Sequence, residues 1–317
     1  MARMAPRIGS PTEAPFRADL AQGPQGGRAY WVHSDDGVRL RVGFWLGPER
    51  GTVFIFPGRT EYVEKYGPLA NDLASLGFSA LAIDWRGQGL ADRLIQDARV
   101  GHVHRFCDYQ SDVAAVIELA RQQGAPEPYY LIGHSMGGGI ALRTLLERSE
   151  FKAVTFSGPM WGIRLNPVTR HFARPYAAAL SILGLANGFA PSTTAINYAL
   201  TAPFEGNMLT TDESMWDFMV LQMREMPEVA LAGPSTHCVH EALKECDFLF
   251  EQPSPSLPCL TILGGSERIV ETSRVYDRME RWPGGQLIVP DGAEHEVLME
   301  TPEIRARILA ALDTTFR

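Results

Sequence analysis

Short apolar runs alternate with helical patterns along most of the chain. Eight runs rich in β-branched and aromatic residues predict strands: AYWVHS, LRVGFWL, TVFIFPG, FSALAIDW, YYLIGHS, KAVTFSG, CLTILGG and QLIVPDG. The first two alternate with polar residues, which predicts an antiparallel edge, whereas several later runs are apolar on both faces, as parallel strands covered by helices are. Amphipathic stretches such as DYQSDVAAVIELARQQG predict helices between the strands. This alternation predicts an α/β fold.

The rhythm of strands and helices is interrupted once, over residues 160–235. This segment combines Pro, Gly and Asn turns with apolar, aromatic and Met-rich helical stretches and has no clear strand. We therefore expect a helical cap inserted between two parts of one core, residues 28–159 and 236–317. Residues 1–27 contain Arg, Pro and Gly but no apolar signal-peptide core, which favours a flexible leader.

Composition narrows the class of protein. With 317 residues, 45% hydrophobic and 21% charged, the chain can bury one large core with an inserted cap. A formal net charge of −8 argues against a nucleic-acid partner. The four cysteines show neither a CxxC pair nor zinc-ligand spacing, which predicts free thiols in a reducing compartment and hence a cytoplasmic protein. No apolar run in the sequence approaches the length of a transmembrane helix.

The stretch YYLIGHSMGGG holds the strongest chemical signal. Gly133-x-Ser135-x-Gly137 follows an apolar strand directly and precedes a helix directly, which is the context of a nucleophile turn. Such a turn lifts the Ser135 hydroxyl above the sheet edge, and the backbone N–H of Met136 can then bind a developing oxyanion. The alternative is a tight turn in a purely structural βα unit.

A catalytic serine needs a base, and position selects His295 among the histidines after the nucleophile. It follows the last predicted strand, and parallel strands present their carboxyl ends on one rim. The other candidates, His171, His237 and His240, have no such position.

The histidine pairs HVH and HCVH could indicate a metal site. Without a further compatible ligand they are better explained as loop or cap surface. We therefore expect no metal and no organic cofactor.

The chain resembles the α/β-hydrolases of the monoacylglycerol lipase and lysophospholipase group. The resemblance is carried by FPGRTEYVEKY, AIDWRGQGLADR, GHSMGG, SGPM, NMLTTDE, GGSERIV and DGAEHEVLME. It implies a mostly parallel eight-stranded sheet flanked by helices, and it places the second oxyanion donor at the backbone N–H of Arg59. The sequence departs from the family pattern at Pro57, Gln88 and Ala91, where the family usually has His, His and Ser. We expect these departures to affect loop packing more than chemistry.

The same resemblance places the orienting acid at Glu267, where the family usually has Asp. Triads of this fold accept either residue. The strand KAVTFSGPM ends without a carboxylate, which removes the other common location. Asp291 is close to His295 in one loop and is a weaker candidate, whereas Glu271, one helical turn after Glu267, is the credible substitute.

These residues predict acyl transfer from an ester to water through an acyl-serine intermediate. The stretch SMWDFMVLQMREM and nearby aromatic residues suggest an acyl pocket, although a Met stripe at helical spacing is more often core. The candidate substrate-binding residues are Trp161, Met215, Phe218 and Met219. Residues 157–240 hold four Arg and six Asp or Glu, a local balance of −2, so they form no basic patch for anionic membranes.

The expected partner is a small acyl ester or lysolipid, with at most peripheral membrane contact. A thioesterase, an aminopeptidase and a ligand-binding protein that has lost catalysis are the alternatives.

Overall fold

A computed structural model describes residues 11–165, 176, 179–180, 185–191 and 193–317. Among these residues, nine strands form one sheet in the order β1-β2-β3-β5-β4-β6-β7-β8-β9. The strands are β1 (Thr12–Ala14), β2 (Arg28–His33), β3 (Arg39–Trp45), β4 (Thr52–Phe56), β5 (Ser79–Asp84), β6 (Tyr129–His134), β7 (Phe151–Ser157), β8 (Cys259–Ile262) and β9 (Gln286–Ile288). The pairs from β1 to β5 along the sheet are antiparallel and all others are parallel. The predicted mostly parallel sheet is confirmed, with one strand more than the eight expected.

Helices follow most of the strands. In the described ranges they are α1 (Ala18–Ala21), α2 (Gly67–Ser75), α3 (Tyr109–Gln122), α4 (Met136–Glu147), α5 (Glu213–Glu225), α6 (Thr236–Glu251), α7 (Thr272–Glu280) and α8 (Pro302–Thr315). Short 3₁₀ helices lie at Val63–Tyr66, Phe106–Asp108, Tyr198–Leu200, Pro227–Val229 and Val297–Met299. No helix in the described ranges is long and apolar enough to cross a membrane.

Part of residues 1–27, which the sequence predicts to be a flexible leader, instead forms β1 and α1. Glu13 pairs with Tyr30, so β1 extends the antiparallel edge, and Leu20 in α1 is buried. The carbonyl of Pro15 accepts a hydrogen bond from Arg41 at 2.9 Å. This part of the leader is ordered because it pairs with an edge strand, a long-range contact that its Pro- and Gly-containing sequence does not reveal. The leader residues before 11 lie outside the described residues.

The sheet has a hydrophobic layer on each face. Side chains alternate along a strand, so Phe54 and Leu131 pack into the layer under α3 and α4. Ile55 and Ile132 point the other way, into the layer under α2 and α8. Because both faces are covered, the carboxyl ends of the parallel strands are the part of the sheet left open for a site.

Between β7 and α6 the described residues add no strand to the sheet. The described part of this segment contains α5 and two 3₁₀ helices, with single bridges such as Ile163 to Val270. Some of its residues, among them the predicted alternative base His171, lie outside the described part.

A buried ion-pair network anchors the antiparallel edge. The Arg41 side chain is 1% exposed, and its guanidinium lies 2.7 Å from Asp84 Oδ2 and 2.7 Å from Glu64 Oε2. We expect Arg41→Met to lower the free energy of unfolding by about 3–5 kcal/mol, because it leaves two buried carboxylates without a counter-charge. Urea denaturation measures this change. Arg99→Met, which removes an exposed pair with Asp97, is the control and should change little. Equal losses in the two variants would contradict this account.

Candidate active site

Ser135 occupies a strained turn between β6 and α4. Its backbone has φ 49° and ψ −118°, in the left-handed region that non-glycine residues rarely adopt. The turn is tight on both sides: a Cβ on Gly137 would lie 2.0 Å from the carbonyl oxygen of Phe56, and one on Gly133 would lie 2.8 Å from Ala141 Cβ. Only glycine therefore fits at these two positions, which explains the G-x-S-x-G spacing.

His295 lies within hydrogen-bond distance of that serine. Its Nε2 is 2.9 Å from Ser135 Oγ, and the ring is almost fully buried. The loop after β9 that carries His295 is held by two backbone hydrogen bonds, from His295 N to Met208 O at 3.3 Å and from Glu296 N to Leu209 O at 2.7 Å. The NMLTTDE segment thus docks directly on the histidine loop.

Glu267 completes the chain of contacts. Its Oε2 lies 2.7 Å from His295 Nδ1, and its Oε1 accepts hydrogen bonds from the backbone N–H groups of Ile269 at 2.6 Å and Val270 at 3.1 Å. Burial alone would raise the pKa of this carboxyl, but the His295 ring and the two backbone donors lower the pKa below its usual range. The environment therefore favours a carboxylate facing the imidazole.

The two rival acids lie elsewhere. The Glu271 carboxylate accepts a hydrogen bond from Ser273 Oγ at 3.0 Å, beside the start of α7. Asp291 is exposed. Of the three acids considered from the sequence, Glu267 is the one in hydrogen-bond contact with His295.

The loop after β4 carries Arg59, the second predicted oxyanion donor. The backbone N–H groups on either side of it are both taken: Gly58 donates to Glu61 Oε2, and Thr60 donates to Gln88 Oε1 at 2.6 Å. These two bonds fix the direction of the peptide between them. The hydrogen bond from Thr60 to Gln88 agrees with the predicted effect of this substitution on loop packing.

Two further contacts support the same loop. Trp85 Nε1 donates to the carbonyl of Pro57 at 3.0 Å, and Gln88 Nε2 lies 3.9 Å from Met136 Sδ. The loop is thus held without a histidine at position 57. Whether the backbone N–H groups of Arg59 and Met136 bind an oxyanion remains a prediction.

Two cavities meet at the serine. The larger, about 520 Å³, is lined mainly by apolar side chains, among them Phe106, Met160, Ile163, Leu243 and Val270. The smaller, about 340 Å³, is more polar and is lined among others by Thr60, Lys65, Asn197, Tyr198 and His295. Ser135, Arg59 and Ile269 line both. A ligand at Ser135 would therefore face an apolar cavity on one side and a more polar cavity on the other.

The four predicted substrate-binding residues lie in different surroundings. Met219 lines the smaller cavity, and its role in substrate binding stays a prediction. Trp161, Phe218 and Met215 line neither of the two cavities at Ser135. Trp161 packs on Phe156 with its Nε1 donating to a backbone carbonyl, Phe218 belongs to a buried cluster, and Met215 lines a separate small void. Helical spacing marks the buried face of α5 but does not separate core from cavity wall.

A buried cluster behind the site was missed from the sequence. The ligand-type atoms of Glu61, His134 and Glu296 all lie within 4.8 Å of one another, close enough for a metal ion. The positive charge beside these two carboxylates comes from Lys65, whose Nζ donates to Glu61 and, at 2.7 Å, to Glu296. The cluster is formed by residues from three separate segments, so no local sequence motif predicts it.

The histidine pairs that suggested metal form a different arrangement. His102 Nδ1 lies 2.8 Å from Ser235 Oγ, its ring stacks on His237, and His237 Nε2 lies 2.7 Å from the carbonyl oxygen of His104. Burial, together with the neighbouring histidines, lowers the pKa of His102 to about 4. His240 lines the larger cavity. The expectation of loop or cap surface is therefore wrong in part, because His102 is buried and His237 and His240 lie in α6.

Comparison with known proteins gives a consistent set of relatives. A family described as "Serine aminopeptidase, S33" matches residues 47–302. Lysophospholipase L2 of Escherichia coli (strain K12) is 32% identical over 277 residues, 82% of this chain and 78% of that protein. Monoglyceride lipase of Rattus norvegicus is 26% identical, over 88% of this chain and 87% of that protein. The solved structure of a soluble variant of monoglyceride lipase from Saccharomyces cerevisiae has a TM-score of 0.68 and 20% identity, covering 90% of this chain and 93% of that one.

Proposed function

Because the chain belongs to the serine aminopeptidase S33 family of α/β-hydrolases, we propose that it hydrolyses carboxylic esters of apolar acyl groups, with lysophospholipids as its substrate class. The observation that carries this proposal is the hydrogen-bonded series Ser135–His295–Glu267 at the junction of an apolar cavity and a more polar one. The relatives named as lysophospholipase and monoglyceride lipase support it.

In the proposed reaction, His295 Nε2 takes the proton of Ser135 as the serine oxygen attacks the ester carbonyl. Glu267 holds the imidazole so that Nδ1 keeps its proton, and it stabilises the imidazolium. The backbone N–H groups of Arg59 and Met136 would bind the oxyanion. The imidazolium then protonates the leaving alcohol, and water releases the acyl group in a second, equivalent round.

The orientation of the substrate in the two cavities follows from the path of proton transfer. The leaving alcohol must reach His295, which lines the smaller, polar cavity but not the larger one. The acyl chain therefore lies in the larger cavity, whose volume and apolar side chains suit a hydrocarbon chain. The polar cavity takes the alcohol, which is the glycerol side of a lysophospholipid.

A cation beside the scissile bond favours a substrate with a phosphodiester. Arg59 Nη1 donates to the carbonyl of Ala232 at 2.8 Å, and in the described part of the chain no carboxylate lies within ion-pair distance of the guanidinium. Arg59 is exposed, so water solvates its charge in the absence of a ligand. An anionic ligand would supply the missing counter-charge, with charge-assisted hydrogen bonds.

The reach of the arginine matches such a substrate. The Arg59 amide nitrogen and its guanidinium carbon are separated by as many covalent bonds as the ester carbonyl carbon and the phosphorus of a lysophospholipid. With the oxyanion held at the amide, the two charged groups can meet once the Arg59 side chain turns from the carbonyl of Ala232, near Cys238 of the larger cavity, towards the smaller cavity.

We propose in addition that residues 160–235 form a cap over the serine. This segment supplies Ile163 and Ala190 to the larger cavity and Tyr198 and Met219 to the smaller one. The cytoplasmic location suggested by the four free cysteines stays a prediction.

An ester panel tests the proposed function and the role of Arg59 together. We compare kcat/KM for a lysophospholipid and a monoacylglycerol of the same acyl chain, each kept monomeric. Arg59→Gln should reduce the preference for the lysophospholipid by roughly 10- to 100-fold, since one charge-assisted contact is lost while the backbone N–H remains. Thioester and amide analogues of the same chain separate the other hydrolase types.

The control for this panel is Arg99→Gln, an exposed arginine paired with Asp97, which should leave the preference unchanged. An equal loss on both esters in Arg59→Gln would show that Arg59 does not recognise phosphate. If wild-type protein hydrolyses none of the esters, the proposed function itself is wrong.

A further inference from the structure

Four charged side chains form a buried cluster directly behind the site: Glu61, Lys65, His134 and Glu296, here called the buried charge cluster. Lys65 Nζ donates to Glu61 and, at 2.7 Å, to Glu296 Oε1. His134 Nε2 lies 3.2 Å from Glu296 Oε2 and 3.6 Å from Glu61 Oε1. All four side chains are less than a tenth exposed.

The serine turn, the histidine loop and the oxyanion loop each contain a member of this cluster or are hydrogen-bonded to one. His134 directly precedes Ser135, and Glu296 directly follows His295. Glu61 accepts the N–H of Gly58, the residue before Arg59. Lys65 connects the carboxylate that holds the oxyanion loop to the carboxylate in the histidine loop. The cluster therefore joins three segments that are far apart in sequence.

The hydrogen-bond partners of His134 determine its protonation. Its Nδ1 lies 3.0 Å from the carbonyl oxygen of Ser157, which can only accept, so Nδ1 carries a proton. The Ser157 hydroxyl, also 3.0 Å from Nδ1, can turn its own proton elsewhere. The Nε2 of His134 lies 3.2 Å from a Glu296 carboxylate oxygen and 3.6 Å from one of Glu61, and these negative charges favour a proton on Nε2 as well. A histidine ring with an acceptor beside each of its two nitrogens has the surroundings that favour an imidazolium.

The charges of the cluster then cancel. Two carboxylates face one ammonium and one imidazolium, whereas a neutral His134 would leave a net negative charge in the interior, which is expensive. Burial on its own would lower the pKa of His134, but the neighbouring Glu296 and Glu61 raise it above its usual value. The same surroundings raise the pKa of Lys65, and burial together with Glu61 raises that of Tyr66.

We propose that His134 is an imidazolium at neutral and mildly alkaline pH, and that it acts as a positioning residue which locks the oxyanion loop and the histidine loop to the serine turn. Its role in activity rests on the proposed ester hydrolysis, but its charge does not. The groups that face it are Glu61, Lys65 and Tyr66 from the segment after β4, Glu296 and His295 from the loop after β9, and Ser157 from β7.

The charge is tested directly by nuclear magnetic resonance. Wild-type protein labelled with ¹⁵N-histidine is titrated from pH 5 to pH 9, and His134 is assigned from the signals missing in His134→Gln. We expect both His134 nitrogens to be protonated at pH 8, where an unperturbed histidine is neutral. In Glu296→Gln the midpoint of the His134 titration should fall, since one of the two facing carboxylates is lost.

The control is Glu300→Gln, which changes a carboxylate buried in the same loop but outside the cluster. The His134 titration should be unchanged in that variant. A single neutral tautomer of His134 in wild-type protein at pH 8 would overturn the proposal, and this result needs no substrate.

The positioning role is tested by kinetics with the ester that wild-type protein hydrolyses. Glu296→Gln should lower kcat about 10-fold or more with little change in KM. The reason is that the two loops are no longer held in position against the serine turn, while the substrate cavities keep their shape. The double variant Lys65→Met, Glu296→Gln pairs one carboxylate with one imidazolium again, so its melting temperature should exceed that of Glu296→Gln alone. Unchanged kcat in Glu296→Gln, or further destabilisation in the double variant, would overturn the proposed lock.

Discussion

Replacing Glu267 with glutamine is expected to lower kcat for ester hydrolysis by roughly 10⁴-fold while leaving the fold intact. The reason lies in the contacts of the two carboxylate oxygens. One accepts hydrogen bonds from the backbone N–H groups of Ile269 and Val270, so the carbonyl oxygen of a glutamine must take that place. The amide NH₂ then points at His295 Nδ1 and forces the proton onto Nε2, where it blocks proton transfer from Ser135.

The matched control is Glu271→Gln, one helical turn further along the chain. Its carboxylate accepts a hydrogen bond from Ser273 rather than contacting the imidazole by hydrogen bond, and activity should stay within a few-fold of wild type. Steady-state kinetics on both variants measures the difference, with thermal melting to confirm folding. If Glu271→Gln were the inactive variant and Glu267→Gln the active one, the assignment of the acid would be wrong.

Ser135→Ala is expected to abolish turnover almost entirely, with a loss on the order of 10⁶-fold in kcat. The hydroxyl oxygen 2.9 Å from His295 Nε2 is the proposed nucleophile, and an alanine in the same turn leaves the imidazole with nothing to deprotonate. Binding should survive, because the cavities on both sides are unchanged.

This second prediction is measured in two ways. Ester turnover should vanish while the affinity for a non-hydrolysable ether analogue of the substrate stays near that of wild type. Ser149→Ala, an exposed serine after α4, controls for the substitution itself. Turnover by Ser135→Ala within about 10-fold of wild type would exclude an acyl-serine intermediate at this position.

Much of the fold could be predicted because its signals are local. Strands β4 to β8 are short apolar runs bounded by turns, and helices such as α3 repeat apolar residues every three or four positions. Ser135 was identifiable for the same reason, since the turn, the strand before it and the helix after it lie within one short stretch.

What could not be predicted depends on contacts between distant segments. Strand β1 exists because Thr12–Ala14 meets the edge of β2, and nothing in its own sequence requires a strand. Trp161 and Phe218 are large apolar side chains in the segment between β7 and α6, yet they pack into the core. Distinguishing a cavity wall from the core needs the positions of neighbouring elements.

The buried charge cluster shows the same limit in the site itself. His134 and Glu296 are sequence neighbours of Ser135 and His295, but they meet each other and the carboxylate of Glu61 only when the end of β6, the segment after β4 and the loop after β9 converge. Gln88 likewise replaces a family histidine and takes up the support of the Arg59 loop through the backbone of Thr60. Substitutions at a known motif can be read from a sequence, whereas the partners that compensate for them cannot.

Covalent labelling tests the central claim most directly. Wild-type protein is treated with a limiting series of a fluorophosphonate, residual ester hydrolysis is measured, and the adduct is located by peptide mass spectrometry. We predict one adduct per chain, on Ser135, with activity lost in proportion to labelling and labelling slowed strongly in Glu267→Gln but not in Glu271→Gln. An adduct at another residue, or full ester hydrolysis by protein labelled at Ser135, would contradict the account.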